Sequence, residues 1–179
     1  IKGMYRIKEE AKPKAAHAQL LGSGTILREV LAASELLQDD WKVSTDVWSV
    51  TSFTELRRDG LSIDRENMYN PEVAEKNTWV AQCLDATNGP VIATTDYMRS
   101  VPDLIRTWVP RRYVTLGTDG YGRSDTRKAL RDFYEVDRFH ITLATLKALV
   151  ADGAIEKKTL AKAIQKYGLE GNKPNPWDI

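Results

Sequence analysis

Short apolar or β-rich runs alternate with amphipathic segments along the whole chain. Runs rich in Val, Ile, Leu and aromatic residues predict strands at 3–7, 17–21, 43–50, 90–95 and 112–116. Apolar residues at helical spacing predict helices at 26–38, 52–60, 61–70, 78–84, 98–108, 124–134, 137–151 and 156–167. This alternation predicts a single α/β domain over residues 1–179, a three-layer α/β/α fold with a mostly parallel five-stranded sheet.

Capping and turn-forming residues set the predicted boundaries of these helices. Ser23 or Thr25 can cap the helix that follows it, as can Asp137, because a side-chain oxygen there accepts hydrogen bonds from unpaired N–H groups of the first turn. Gly60 and Gly168 are expected to end helices, since glycine readily adopts the backbone conformation that closes a last turn.

Composition and charge argue against a nucleic-acid or membrane partner. The chain has 26 Lys and Arg against 25 Asp and Glu, so its net charge of +1 creates no overall field for nucleic acid or an anionic membrane. No run approaches the roughly 18 apolar residues of a membrane span. We expect a cytoplasmic protein without a nucleic-acid or membrane partner. The start at Ile1, with neither an initiator Met nor a signal-peptide pattern, is expected of a piece of a longer chain.

The run Gly22-Ser23-Gly24 lies between a predicted strand and a predicted helix, where dinucleotide-binding folds place a phosphate loop. Two features weaken that interpretation. Leu27 stands where the third glycine of the fingerprint would fall, and no P-loop lysine is present. A tight strand-to-helix turn is the commoner meaning of such a run, and nucleotide binding remains the alternative.

The densest polar loop runs from Gly117 to Asp125, again between a strand and a helix, and contains three glycines. Asp119, Arg123 and Asp125 either pair with one another or face a ligand or a partner. Because ligands of open α/β sheets gather at the carboxyl ends of strands, both interpretations stay open.

The remaining chemistry-bearing residues predict no catalytic or metal site. His17 and His140 are far apart in sequence and lack an evident ligand-type partner, so we expect no metal there. Cys83, the single cysteine, lies in an apolar stretch and is expected to be a core thiol. The tail at 171–179 is expected to be extended, with Trp177 available to dock on a neighbouring domain.

Several stretches together resemble one family, the C-terminal domain of the homodimeric bacterial pyruvate dehydrogenase E1 components. The stretches that carry the resemblance are 1–5, 19–24, 46–56, 58–60, 94–98, 116–127 and 133–137. The longest of them read Asp-Val-Trp-Ser-Val-Thr-Ser-Phe-Thr-Glu-Leu and Leu-Gly-Thr-Asp-Gly-Tyr-Gly-Arg-Ser-Asp-Thr-Arg. The matches keep the family's order along the chain, and the final helices fit its ending, so the resemblance covers the whole chain.

The resemblance implies a transketolase-like fold and a place as the third domain of a long, dimeric enzyme. Enzymes of this family decarboxylate pyruvate on thiamine diphosphate with Mg²⁺ and reductively acetylate the lipoyl group of the E2 acetyltransferase. The implied partners are the other E1 domains, a second E1 subunit and E2. The family's Gly-Asp-Gly…Asn motif and its activating glutamate are not found here, so no catalytic, cofactor-binding or metal-binding residue is transferred to this chain.

A structural and dimer-supporting role is therefore expected for this domain, with no activity and no bound cofactor when it is alone. The residues expected at an interface, or at the approach to the active site, follow predicted strands: Ser52, Phe53, Asp96, Tyr97, Asp119, Tyr121, Arg123 and Ser124. The alternative is a free-standing α/β module that binds a nucleotide or docks a partner.

Overall fold

The computed structural model describes residues 2–178 and has a five-stranded sheet at its centre. The strands are β1 (Met4–Lys8), β2 (His17–Ser23), β3 (Ser44–Val50), β4 (Val91–Thr94) and β5 (Tyr113–Leu116). Their order is β1-β3-β2-β4-β5. Strands β2 to β5 pair in parallel, and β1 pairs antiparallel to β3 at one edge. The predicted mostly parallel sheet is confirmed.

Helices connect the strands and cover both faces of the sheet. They are α1 (Leu27–Trp41), α2 (Phe53–Tyr69), α3 (Trp79–Leu84), α4 (Ser100–Asp103), α5 (Arg127–Phe133), α6 (Arg138–Ala151) and α7 (Lys158–Tyr167). Short 3₁₀ turns occupy Gly24–Ile26 and Arg106–Trp108. One apolar cluster joins the sheet to α1, α5, α6 and α7, and a second joins it to α2, α3 and α4. The three-layer arrangement is therefore confirmed.

Successive residues of the central strands point to opposite faces of the sheet and therefore belong to different apolar clusters. On β2, Leu20 belongs to the first cluster and Leu21 to the second, and both are fully buried. On β4, Ile92 packs on the first side, while Val91 and Ala93 pack on the second. Strands buried on both faces read as continuous apolar runs, which is why these segments were predictable from the sequence. Each large aliphatic side chain buried here stabilises the fold by roughly 1.5–3 kcal/mol.

The predicted end of a helix at Gly60 is wrong, because α2 continues unbroken through this glycine. Gly60 is buried where the indole ring of Trp108 packs against the helix backbone. A close tertiary contact, and not a helix end, therefore requires glycine here. The single helix predicted at 98–108 is also wrong, because the structure divides this segment between α4 and a 3₁₀ turn.

Some of the predicted helix caps and helix ends are confirmed, and others are not. Asp137 caps α6 as predicted, accepting hydrogen bonds from the N–H groups of Phe139 at 3.0 Å and His140 at 2.9 Å. Gly168 ends α7 in the left-handed conformation, also as predicted. Neither Ser23 nor Thr25 caps the first helix, because both hydroxyl groups hydrogen-bond to a turn distant in sequence.

The helix expected from residue 124 begins later, at Arg127. Thr126 caps it by accepting a hydrogen bond from the N–H of Ala129 at 3.3 Å. The tail contains turns at 171–172 and 176–177, so the prediction of an extended tail is wrong there. Pro176 is buried against the loop at Gly120. Across residues 2–178, no helix combines the length and apolar character needed to cross a bilayer.

Candidate functional site at the carboxyl edge of the sheet

The turns after the parallel strands meet at one edge of the sheet and are hydrogen-bonded to each other. The Ser23 hydroxyl, at the end of β2, donates to Thr95 Oγ1 after β4 at 2.8 Å. The Thr25 hydroxyl donates to a carboxylate oxygen of Asp96 at 3.3 Å. Strands β2 and β4 are neighbours, but the chain runs from β2 through α1 to β3 on the other side. This is the switch point where open α/β sheets present a crevice.

Both glycines of the Gly22-Ser23-Gly24 turn are explained by packing within the chain. A Cβ atom on Gly22 would lie 3.0 Å from atoms of Leu27 and Val30, so glycine allows α1 to approach β2. Gly24 has a φ of +55° and lies beside the carboxylate of Asp96. The structure therefore supports a tight turn at this position, and these glycines give no support to the nucleotide-binding alternative.

Ser52 and Phe53 sit where β3 passes into α2. Ser52 caps this helix by accepting a hydrogen bond from the N–H of Glu55 at 3.1 Å. Phe53 is only 4% exposed, belongs to the second apolar cluster and begins α2, and its role at an interface or at the approach to an active site stays a prediction. An amphipathic helix packs its apolar side against the core, and Phe53 lies on that side in the first turn of α2.

Asp96 and Tyr97 are both exposed, but in different ways. The Asp96 carboxylate is engaged by Thr25, and its backbone carbonyl accepts a hydrogen bond from the Thr118 hydroxyl at 2.8 Å. The Tyr97 side chain is 63% exposed. Its backbone carbonyl accepts a hydrogen bond from the N–H of Thr118 at 2.9 Å. The turn after β4 and the loop after β5 therefore form one connected surface.

The loop after β5 is held at several points. Asp119 accepts a hydrogen bond from the backbone N–H of Arg99 at 2.9 Å and forms an ion pair with its side chain at 3.4 Å. The Tyr134 hydroxyl donates to the backbone carbonyl of Tyr121, whose own side chain is 78% exposed. The Arg123 guanidinium lies 4.2 Å from the ring centroid of Phe133.

Ser124 is exposed at the end of this loop. The structure therefore brings the exposed parts of all three predicted loops to the same edge of the sheet. Their common function stays a prediction.

Two clefts open at this edge. The first, which we call the hydroxyl cleft, has a volume of about 640 Å³. The described residues that line it are all uncharged, among them Ser23, Ser49, Thr51, Ser52, Thr54 and Tyr97. The second, which we call the arginine cleft, has a volume of about 380 Å³; its polar lining includes Thr25, Asp96, Thr118, Arg123, Arg127 and Arg131. The turn after β2 and the turn after β4 contribute residues to both clefts.

A buried carboxylate next to the arginine cleft was not predicted from the sequence. Glu29 on α1 is 5% exposed and pairs with Arg131 at 2.9 Å and with Arg138 at 3.0 Å. Burial alone would raise the pKa of Glu29, but hydrogen bonds and charges from Arg138, together with the charge of Arg131, hold it below its ordinary value of 4.5. A lone Glu in the first turn of a helix gave no sign of partners more than 100 residues away.

The opposite, amino-terminal edge of the sheet holds a second buried polar cluster that the sequence did not reveal. The Asp46 carboxylate accepts hydrogen bonds from the N–H of Glu10 at 2.7 Å and from the side-chain amide of Gln19 at 2.9 Å. His17 Nε2 lies 3.3 Å from it. Burial opposes ionisation of Asp46, but these partners outweigh it and keep its pKa below 3.8. The Trp48 indole donates to Gln19 at 2.7 Å and completes the cluster.

Both histidines therefore have carboxylate neighbours in the folded chain. His140 Nδ1 lies 2.8 Å from Asp137, and ligand atoms of Asp132, Asp137 and His140 all lie within 4.8 Å of one another. Asp137 is already engaged as the cap of α6, and Asp132 pairs with Lys173 at 3.0 Å. These bonds account for the cluster without an ion.

Cys83 is a partly buried thiol beside the second apolar cluster. Burial raises its pKa to about 11, which opposes formation of the nucleophilic thiolate at neutral pH. The prediction that Cys83 is a packing residue agrees with this environment.

Comparison with known proteins adds a family to this description. A family model described as the transketolase-like C-terminal domain matches residues 3–137. The pyruvate dehydrogenase E1 component of Pseudomonas aeruginosa is 55% identical over 179 residues, which cover 99% of this chain and 20% of the relative. That of Cupriavidus necator is 52% identical over 180 residues, covering 100% and 20%. The chain thus spans about a fifth of the length of these relatives.

Solved structures agree on the fold. A structure described as a split-gene transketolase, an inactive β4 tetramer, superposes with a TM-score of 0.57 at 18% identity, covering 84% of this chain and 43% of that one. Transketolase from Campylobacter jejuni superposes with a TM-score of 0.56 at 16% identity, covering 82% and 18%. At such low identity, these likenesses support the fold alone.

Proposed function

The chain belongs to the family of transketolase-like C-terminal domains, and from this premise we propose that it is the third domain of a pyruvate dehydrogenase E1 component. The observation that carries the proposal is the 55% identity to one such component over 99% of the chain. In the proposed enzyme, pyruvate is decarboxylated on thiamine diphosphate, and the acetyl group is passed reductively to the lipoyl group of E2. This domain supports the assembly, and the other domains hold the cofactor.

The residues lining the two carboxyl-edge clefts do not suit a diphosphate with Mg²⁺. Mg²⁺ requires near-octahedral oxygen ligands, commonly carboxylates together with phosphate oxygens and water. Among residues 2–178, no charged residue lines the hydroxyl cleft, and Asp96 is the one acidic residue that lines the arginine cleft. Thiamine diphosphate and Mg²⁺ are therefore assigned, within this proposal, to the remainder of a longer cytoplasmic chain.

We assign the contact with the rest of E1, and with a second subunit, to the exposed loops at the carboxyl edge. Tyr97 and Tyr121 are 63% and 78% exposed, although each belongs to a loop whose backbone is hydrogen-bonded to other parts of the chain. Large aromatic side chains on a fixed backbone are favoured at protein interfaces, because they bury much area with little loss of conformational entropy. The interface proposed here is formed by Ser52, Asp96, Tyr97, Asp119, Tyr121, Arg123 and Ser124.

Substitutions in the longer E1 chain that carries this domain test the interface. Tyr97→Ala and Tyr121→Ala are expected to lower the activity measured with pyruvate and an artificial electron acceptor, and to speed protease release of the domain. Tyr69→Ala is the matched control, because Tyr69 is 66% exposed but lies on α2, away from the carboxyl-edge loops. Activity and protease resistance equal to the parent in both loop variants would contradict the assignment.

Measurements on the isolated chain test whether catalytic activity and cofactor binding belong to the other domains. We expect no turnover of pyruvate and no thermal stabilisation by thiamine diphosphate with Mg²⁺, because a ligand raises stability only where the folded chain binds it. Saturable stabilisation by this cofactor would contradict the proposal, and turnover would do so more strongly. Retention of the chain on an E2 core would extend the role to docking within the complex.

A further inference from the structure

We propose that the arginine cleft binds a small organic anion, a phosphate or carboxylate carrying a compact apolar group. The site lies on the chain itself and does not depend on the proposed enzyme function. Its walls are the turns after β2 and β4, the loop after β5 and helix α5.

The charge of the cleft is the first argument. Three arginines line it, Arg123, Arg127 and Arg131, against one acidic residue, Asp96, among the residues that the structure describes. Arg131 is neutralised by Glu29 at 2.9 Å. Within residues 2–178, neither Arg123 nor Arg127 has an acidic partner within ion-pair distance, so an excess of positive charge faces the cleft.

The chemistry of these side chains favours oxygen anions. Guanidinium groups present parallel N–H donors that match phosphate and carboxylate oxygens. Arg123 is held against the ring of Phe133, with 4.2 Å between guanidinium carbon and ring centroid, which limits its loss of freedom on binding. The hydroxyl groups of Thr25 and Thr118 also line the cleft, but each donates its hydrogen to Asp96, so recognition of an anion rests on the arginines.

The floor of the cleft is apolar and fixed. It is formed by Ile26, Leu130, Tyr134 and Val136, of which Ile26 and Val136 are each 1% exposed. The Tyr134 hydroxyl is bonded to the loop backbone at Tyr121, so the floor and one wall are tied together. The volume of about 380 Å³ is within the range for small-molecule sites. Charged walls over an apolar floor suit an anion with a small hydrophobic part better than a bare ion.

The position in the fold agrees with a ligand site. The cleft opens at the carboxyl ends of β2, β4 and β5, beside the switch point between β2 and β4. Ligands of open α/β sheets bind in this place as a rule. Tyr121, the most exposed aromatic residue of the proposed interface, does not line the cleft. Asp96 and Arg123 belong to both the cleft and the proposed interface, whereas Arg127 belongs only to the cleft and Tyr121 only to the interface, so substitutions of Arg127 and Tyr121 separate the two roles.

Titration of the isotopically labelled chain with phenyl phosphate, followed by amide NMR at constant ionic strength, tests the inference. We expect saturable shifts confined to residues 24–26, 96 and 118–136, and weaker binding of inorganic phosphate to the same residues. Arg127→Ala is expected to weaken phenyl phosphate binding by about tenfold, because one charge-assisted contact is lost. Arg127 is exposed, so its removal leaves the core intact.

Arg57→Ala is the matched control, since Arg57 is an exposed arginine on α2, in the opposite helical layer. This variant is expected to bind phenyl phosphate as the parent does. Shifts that do not saturate, or that are spread over the whole surface, would overturn the inference. Equal weakening in the Arg57 and Arg127 variants would also overturn it, because it would show that only net charge matters. These outcomes are independent of pyruvate turnover by any longer chain.

Discussion

Gly60→Ala separates helix propensity from packing in one substitution. Gly60 lies in the interior of α2, where alanine would ordinarily be the better residue. A methyl group there would lie 2.5 Å from Cε2 and 2.6 Å from Cδ2 of Trp108. The ring is also held by its indole N–H, which lies 2.9 Å and 3.1 Å from the two carboxylate oxygens of Asp64 on the same helix. The ring therefore has little freedom to move away.

The two effects have opposite signs and different sizes. Replacing an interior helical glycine by alanine stabilises a helix by roughly 0.5–1 kcal/mol. Forcing a methyl group into a filled space costs about 1–3 kcal/mol. We therefore expect a net loss of about 1 kcal/mol in the free energy of unfolding, and of no more than about 2.5 kcal/mol. For a domain of this size, each kcal/mol lowers Tm by about 2–4 °C.

Chemical unfolding of four proteins measures the effect: the parent, Gly60→Ala, Trp108→Ala and the double variant. With the indole removed, the clash is gone, so Gly60→Ala should stabilise the Trp108→Ala protein by about 0.5–1 kcal/mol. Arg57→Gly compared with Arg57→Ala, at an exposed position of the same helix, is the control for propensity alone. A more stable Gly60→Ala protein in the parent background would refute the packing argument.

Three further outcomes are expected. The free energy of unfolding should fall as pH drops below about 4.5, because the pKa values of Glu29 and Asp46 in the folded chain lie below their ordinary 4.5 and 3.8, so the unfolded chain takes up protons first. Unfolding experiments from about pH 3 to pH 7 should show that stability depends less on pH in Asp46→Asn than in the parent. Glu29→Gln should lower the free energy of unfolding by about 2 kcal/mol, because Arg131 and Arg138 lose their shared carboxylate partner. A free energy of unfolding equal to that of the parent would contradict this. Burial raises the pKa of Cys83 from 9.0 to about 11, so it should react with iodoacetamide at pH 8 at least about tenfold more slowly than in the unfolded chain, because the lower thiolate fraction outweighs the greater nucleophilicity of a more basic thiolate. Equal rates would show the thiol to be accessible and unperturbed.

The strands and most helices were predictable because their signals are local. The two-sided burial of β2 and β4 appears in the sequence as apolar runs, and Asp137 caps α6 through N–H groups two and three residues away. Gly60 was misjudged because the residue that explains it, Trp108, is distant in sequence. A glycine within a polar stretch has the same local signature whether it ends a helix or receives a ring from elsewhere.

The carboxyl edge was predictable in outline only. Topology alone places the turns after parallel strands together, so Asp96 and Asp119 could be assigned to one edge. The partners of these residues could not be predicted, because Thr25 and Arg99 come from other turns. The burial of Phe53 likewise depends on which side of α2 faces the sheet. Long-range pairing of this kind, as in the Glu29 cluster, leaves no pattern in a single sequence.

Exchange of domains tests the proposed place of this chain in a pyruvate dehydrogenase E1 component most directly. The matching fifth of the Pseudomonas aeruginosa relative would be replaced by this chain, and pyruvate-dependent reduction of an artificial electron acceptor would be measured beside a deletion that lacks the segment. We expect the exchanged protein to keep activity comparable to the parent, and the deletion to lose it. A folded, stable exchanged protein as inactive as the deletion would contradict the proposal.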